Sequence, residues 1–144
     1  MSQIVLDEHL GHSEVLEPLR QWITATKIED LVSDETLKDD RILQILRNHK
    51  QPTFLTLDAG FFQKRRADRR YCLIHFVVPR QQQNRIPVLL RQLLRLPEFK
   101  TKAARMGKVA RVSEGRVEFW QVRDEKRHLM RFELTKRNLT SQSL

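Results

Sequence analysis

Residues 71–78 read Tyr-Cys-Leu-Ile-His-Phe-Val-Val, an almost unbroken apolar run of strand length. Alternating patterns belong to strands that are wet on one side. A continuous run belongs to a strand buried on both faces, as in the middle of a parallel sheet. Parallel neighbours need crossover connections, usually helices. The chain must therefore supply further strands with helices between them, and it does so on either side of this run.

Upstream, Ile4 to Leu6 is a short apolar run closing on Asp7, expected as the first buried strand. Gly11 and Ser13 break it. Ser13 is placed to cap a helix from Glu14 to about Thr24, with Val15, Leu16, Leu19, Trp22 and Ile23 on one face. A weak strand is expected around Lys27 to Val32. A second helix over about Asp39 to Asn48 buries Ile42, Ile45 and Leu46, with His49 on the same stripe, and Pro52 ends it. Thr53 to Leu57 then gives another strand, closing on Asp58 with Gly60 just beyond.

Downstream, Pro79 and Gln-Gln-Gln-Asn-Arg form a polar connector, and Pro87 suits the first turn of a helix carrying Val88, Leu89, Leu90, Leu93, Leu94 and Leu96. Pro97 kinks or ends it. Val109 to Val112 and Val117 to Val122 flank Ser-Glu-Gly-Arg, a hairpin with Gly115 at its special position. His128 to Leu134 adds a third strand, and residues 135–144 read as a flexible tail. The pattern describes one α/β domain over residues 1–134, with a mainly parallel sheet and a C-terminal β-hairpin extension.

Composition narrows the function. A chain of 144 residues suits one domain that buries its own core. The single cysteine, Cys72, excludes an internal disulfide and a multi-cysteine zinc site, and its apolar surroundings make it a buried small hydrophobe. The amino terminus lacks the basic segment and longer apolar stretch of a signal peptide, and no run approaches the roughly 20 apolar residues of a membrane span. A cytoplasmic address is expected. Residues 1–60 hold 11 acidic and 6 basic side chains, whereas residues 61–144 hold 7 acidic and 21 basic ones. An acidic half beside a strongly basic half is the expected distribution where one binds cations and the other a polyanion.

Two of the expected strands end in an aspartate, Asp7 and Asp58. In open α/β sheets ligands bind beyond the carboxyl ends of the strands, where the strand order reverses. If the first and third strands are neighbours there, these carboxylates converge, and two close carboxylates repel unless a proton or cation lies between them. Mg²⁺ or Mn²⁺ suits such oxygen ligands. Asp39, opening the second helix, is the best third member, and Glu8 the auxiliary. Each has a plainer role open to it: Asp39 with Thr36 fits a capping box, and Asp58 fits a turn. His9 and His12 decorate a loop, and His75 reads as a satisfied core residue.

The motifs Val-Leu-Asp-Glu-His-Leu (5–10), Asp-Asp-Arg-Ile-Leu-Gln-Ile-Leu-Arg (39–47) and Phe-Leu-Thr-Leu-Asp-Ala-Gly-Phe-Phe (54–62), followed by the strand at 72–79 and the hairpin at 109–122, resemble in order the small PIN-like proteins related to PIN-domain toxin ribonucleases. The resemblance spans about residues 3–122. It implies a three-layer α/β/α PIN-like fold and a Mg²⁺- or Mn²⁺-dependent ribonuclease in which Asp7, Asp39 and Asp58 are catalytic metal ligands, supported by Glu8 and Asp40. Lys64, Arg65, Arg66, Arg69 and Arg70 would grip RNA phosphates, and Phe61 and Phe62 would stack on an unpaired base or pack in the core. It also implies an antitoxin partner and a homodimer, formed through a sheet edge or the leucine-rich helix. One position departs: the family usually carries a second acid two residues after the strand-end aspartate, where this chain has Gly60, and Asp40, Glu8 or Asp68 would have to replace it. The alternative is a catalytically degenerate module whose basic face binds nucleic acid or a protein partner.

Overall fold

The computed structural model describes residues 3–32, 36–124 and 126–131. Seven strands, β1 (Gln3–Leu6), β2 (Ala25–Lys27), β3 (Pro52–Thr56), β4 (Cys72–Phe76), β5 (Lys108–Ser113), β6 (Arg116–Gln121) and β7 (Arg127–Arg131), form one sheet in the order β2-β1-β3-β4-β5-β6-β7. From β2 to β5 every pairing is parallel, while β6 and β7 are added antiparallel. The expected α/β class and mainly parallel sheet are present. The hairpin is no separate appendage, since its first strand is also the last parallel strand. Gly115 makes its turn with a φ of 78°, the left-handed region that side chains with a Cβ avoid.

Two apolar layers lie on the two faces of this sheet. Successive residues of a strand point to opposite sides, so Val5, Phe54, Leu73 and Val109 form a row on one face. The helix α2 (Asp39–Arg47) packs there through Ile42, Leu43, Ile45 and Leu46, joined by Ile28, Phe61 and Tyr71. On the other face, Ile4, Leu6, Leu55, Ile74 and Val112 meet α1 (Glu17–Arg20) and the turn before it, together with α3 (Ile86–Leu93). Helices on both sides explain why all five residues of 72–76 are buried and all but His75 are apolar.

Several boundaries differ from the sequence expectation, for local reasons. The helix expected over 14–24 is a wide π-type turn, His12–Leu16, leading into the four residues of α1. Pro18 has no N–H to give, and the looser turn just before it accommodates that loss. Ser13 lies inside this turn rather than capping it. The weak strand expected at 27–32 is β2 followed by a 3₁₀ turn over Ile28–Leu31. Residues Arg80–Arg85, expected as a connector, form a 3₁₀ segment that leads into α3, where Val88 is exposed rather than buried. A short helix, α4 (Lys102–Arg105), was not foreseen; Thr101 caps it by accepting from the Ala104 N–H at 3.0 Å. Lys38 precedes α2 without a side-chain cap, so the Thr36–Asp39 capping box does not form. The third late strand is present as β7, and residues 132–134 with the expected tail at 135–144 lie outside the described residues.

Phe54 is fully buried at the middle of β3, its ring centroid 5.2 Å from that of Phe61. Phe54→Ala is expected to lower the unfolding free energy by about 3–5 kcal/mol, as removal of a buried ring does. Urea unfolding measures it, and a loss well below that range would contradict the central place of this ring.

Candidate active site

β1 and β3 are neighbours, with Leu6 opposite Leu55. The sheet grows from β1 towards β2 on one side and towards β3 on the other, so the reversal of strand order falls between β1 and β3. Asp7 follows β1 at this crevice and is buried. Its Oδ2 accepts from the Thr56 hydroxyl at 2.6 Å and its Oδ1 from the Glu8 N–H at 2.8 Å. Thr56 Oγ1 in turn accepts from the Asp58 N–H at 2.9 Å. One hydroxyl therefore ties the two aspartate-bearing strand ends together.

The register extends this contact into a row. Thr56 lies opposite His75, His75 opposite Arg111, and Arg111 opposite Glu118. Asp7, Thr56, His75, Arg111 and Glu118 thus follow one another across five strands, on the α2 face and just beyond the apolar row. Burial pushes the Asp7 carboxyl above its ordinary value, against the two hydrogen bonds that hold it down. Among the described residues no cationic side chain forms an ion pair with it.

Asp39 and Asp58 stand at the rim of the same crevice. Asp39 is the first residue of α2, where a negative charge complements the helix dipole. Its Oδ2 meets Arg66 Nη1 at 3.1 Å, and the Arg66 guanidinium lies 5.3 Å over the Phe61 ring. Asp58 Oδ1 accepts from the Gly60 N–H at 2.8 Å and so caps the 3₁₀ turn Ala59–Phe61. A Cβ at position 60 would lie 3.1 Å from Asp58 Oδ1 and 3.7 Å from Asp39 Oδ2. The backbone there is outside the left-handed region, so no conformational need calls for glycine, but a side chain would crowd the Asp58 carboxylate.

The remaining sequence-derived residues divide. Glu8 is exposed, 3.8 Å from His9, and Asp40 is exposed in the first turn of α2. His9 is exposed on the loop after β1, and His12 is exposed at the start of the π-type turn. Lys64, Arg65 and Arg66 stay near the carboxyl end of β3, in a 3₁₀ turn. Arg69 instead lines a cleft beside Lys108 and Phe119. Arg70 is held on Asp68 at 2.9 Å, and this pairing brings the Asp68 carboxyl down to about 2. Phe61 is buried, and the half-exposed Phe62 carries the Arg111 guanidinium at 4.6 Å. Cys72 is fully buried, its thiol pushed up to about 12 by burial. His75 departs from its expected role: its strand is buried, but its Nδ1 has no hydrogen-bond partner. Burial and then Arg111 push its pKa down, while a backbone hydrogen bond with Leu57 pulls it up.

Three positions carried no signal in the sequence reading. Thr56 is an ordinary strand residue until the register sets it beside Asp7. Arg111 lay inside an expected hairpin strand. Lys27 fixes the loop after β1, its Nζ donating to the Leu10 carbonyl and to the Glu8 carbonyl at 3.1 Å.

For a divalent cation the donor chemistry fits: three carboxylates come from the ends of β1 and β3 and the start of α2. The arrangement is not closed. Among the described residues no group of three or more acidic, histidine or cysteine side chains is close enough to hold a metal. Asp39 is held by Arg66 and Asp58 by its own turn. Among the same residues no helix is long and apolar enough to cross a membrane. No family model matches the chain, and neither a curated protein nor a solved structure matches it.

Because Asp7 is harder to ionise folded than unfolded, the native state binds the extra proton and wild-type stability rises as pH falls towards the unfolded value of 3.8. Asn preserves the shape and the bond from the Glu8 N–H, while its amide donates to Thr56 Oγ1 instead of accepting from it. Asp7→Asn is therefore expected to melt at a higher temperature than wild type at neutral pH, the gap closing in acid. Parallel melting curves across the whole range would show that Asp7 is not strained by burial.

Proposed function

We propose that the chain is a PIN-like, metal-dependent endoribonuclease whose cutting centre is formed by Asp7, Asp39 and Asp58, with Glu8 and Asp40 in support. The observation that carries this reading is Asp7, a buried carboxylate at the sheet's reversal point that lacks a cationic partner among the described residues. Ionisable groups with perturbed pKa values concentrate at functional sites because the fold otherwise selects against them. The ordered PIN-like motifs supply the reaction class, and the strongly basic second half of the chain suits an RNA substrate. Action on RNA also agrees with a cytoplasmic address.

A bound Mg²⁺ or Mn²⁺ supplies an acidified water and neutralises charge at the reacting phosphate. The chain's own residues hold and orient. Thr56 fixes the Asp7 carboxylate by donating to one oxygen, while the Glu8 N–H fixes the other. Asp39 reaches the same rim from α2, and Asp58 is held in place by the turn that its own carboxylate caps. Lys64 and Arg65 are exposed next to this rim and would neutralise flanking phosphates without reading sequence. Ordering Asp39 around a metal requires Arg66 to release it, and an RNA phosphate is a suitable new partner for that guanidinium. On this reading the chain is a candidate toxin, and its antitoxin would cover the crevice between β1 and β3.

A second reading is favoured by the same Arg66. A guanidinium 3.1 Å from Asp39, together with Gly60 in place of an acid, describes a site that has replaced its metal by an internal cation. The chain would then be a non-catalytic module binding nucleic acid or a protein through its basic face.

Calorimetry with Mn²⁺ separates the two. For the nuclease, wild type binds Mn²⁺, Asp7→Asn does not, and Mg²⁺-dependent cleavage of RNA disappears in Asp7→Asn and Asp58→Asn while both fold. Absence of Mn²⁺ binding by wild type, with binding appearing in Arg66→Ala, decides for the internal cation.

A further inference from the structure

The row that begins at Asp7 ends in a part of the sheet where this face carries exposed apolar side chains. Val77 and Leu129, both on this side, are exposed. A cleft of about 380 Å³ opens there, lined by His75, Val77, Arg111, Ser113, Arg116 and Glu118. Its electrostatics are uneven. Glu118 receives Arg111 at 2.7 Å, Arg127 at 3.7 Å and Arg116 at 3.9 Å, so three guanidiniums share one carboxylate. Like charges gathered this closely repel, and the arrangement becomes favourable when an anion joins it. Arg111 is further fixed by the Phe62 ring beneath it.

A second observation points the same way. His75 is more than nine-tenths buried, lines this cleft, and leaves Nδ1 without a hydrogen-bond partner. An orphaned buried nitrogen is costly unless a ligand completes it. Around the cleft, rings and cations interleave: Arg111 over Phe62, and Lys64 at 5.6 Å over Trp120, which lies on the same sheet face. That composition suits a strand of unpaired nucleotides, whose phosphates and bases are both exposed.

We propose that this cleft binds the phosphodiester backbone of single-stranded RNA, with Arg111, Arg116 and Arg127 on its phosphates and the unpartnered Nδ1 of His75 completing the contact. It lies two to four strand spacings from Asp7, roughly 10–20 Å along the row. The proposal rests on the nuclease reading only for direction: a strand held here leads across Thr56 to Asp7. Binding itself requires no metal and no cleavage, so the two ideas fail separately.

The test is fluorescence anisotropy of a labelled oligouridylate in EDTA, over a range of salt, with wild type and two double variants. Arg116→Gln with Arg127→Gln leaves the Arg111–Glu118 pair intact and so preserves the fold, which a melting curve checks. This variant is expected to bind about tenfold more weakly, with the slope of log affinity against log salt shallower by about 1.4, the value for two phosphate contacts on a single strand. Arg95→Gln with Lys100→Gln, two exposed cations elsewhere, is expected to bind as wild type does. Equal weakening in both variants would overturn the site in favour of general charge attraction. Duplex RNA binding as tightly as the single strand would overturn it too. So would binding of polyglutamate or inorganic phosphate without any of the oligonucleotide.

Discussion

The hydrogen bond from Thr56 to Asp7, 2.6 Å long, holds together the part of the molecule on which the rest depends. It joins the ends of two parallel strands that are distant in sequence, at the point where the sheet begins to grow in opposite directions. The Thr56 oxygen also accepts from the Asp58 N–H, so its single proton is committed to Asp7. The hydroxyl is therefore not interchangeable with a methyl group of the same size. Around it the sheet supplies rigidity: Val5, Phe54 and Leu73 lie one layer below, fully or almost fully buried, and cannot shift independently.

The three acidic side chains at this end of the sheet are treated differently by the fold. Asp39 has a guanidinium, and Asp58 has a backbone N–H in its own turn. Asp7 has hydrogen bonds but, among the described residues, no ion-pair partner, and it is the most buried of the three. The fold thus places its strongest demand for a positive charge where the described side chains form no ion pair. Arg66 is also held imperfectly, since its Nε is buried without a partner while Nη1 serves Asp39. A guanidinium with one satisfied and one unsatisfied nitrogen is easier to draw away than one held on both.

Legibility in the sequence followed the range of the interactions. The strand at 72–76 was evident because burial on both faces selects apolar residues at every position but His75, and the hairpin because Gly115 must adopt a positive φ. Asp7 and Asp58 could be paired in advance because the rule for strand ends depends on strand order, which helix-linked strands constrain strongly. Local exceptions were harder. Pro18 widens a turn that apolar periodicity reads as an ordinary helix, and α4 is too short to show a period at all. Thr56, His75 and Arg111 were hidden for another reason: nothing in any one segment marks them, and only the register between three strands makes them neighbours. The Arg66–Asp39 contact spans 27 residues and two turns, beyond what spacing along a helix or strand can signal.

The two outer edges of the sheet bear on how this chain meets copies of itself. β2 offers only three residues, too few to template a long pairing. β7 is longer, but Arg127 and Arg131 stand exposed along it. Two such edges laid against each other would bring arginines into register and push the copies apart. The arginines along that edge thereby weigh against strand-to-strand growth of the sheet.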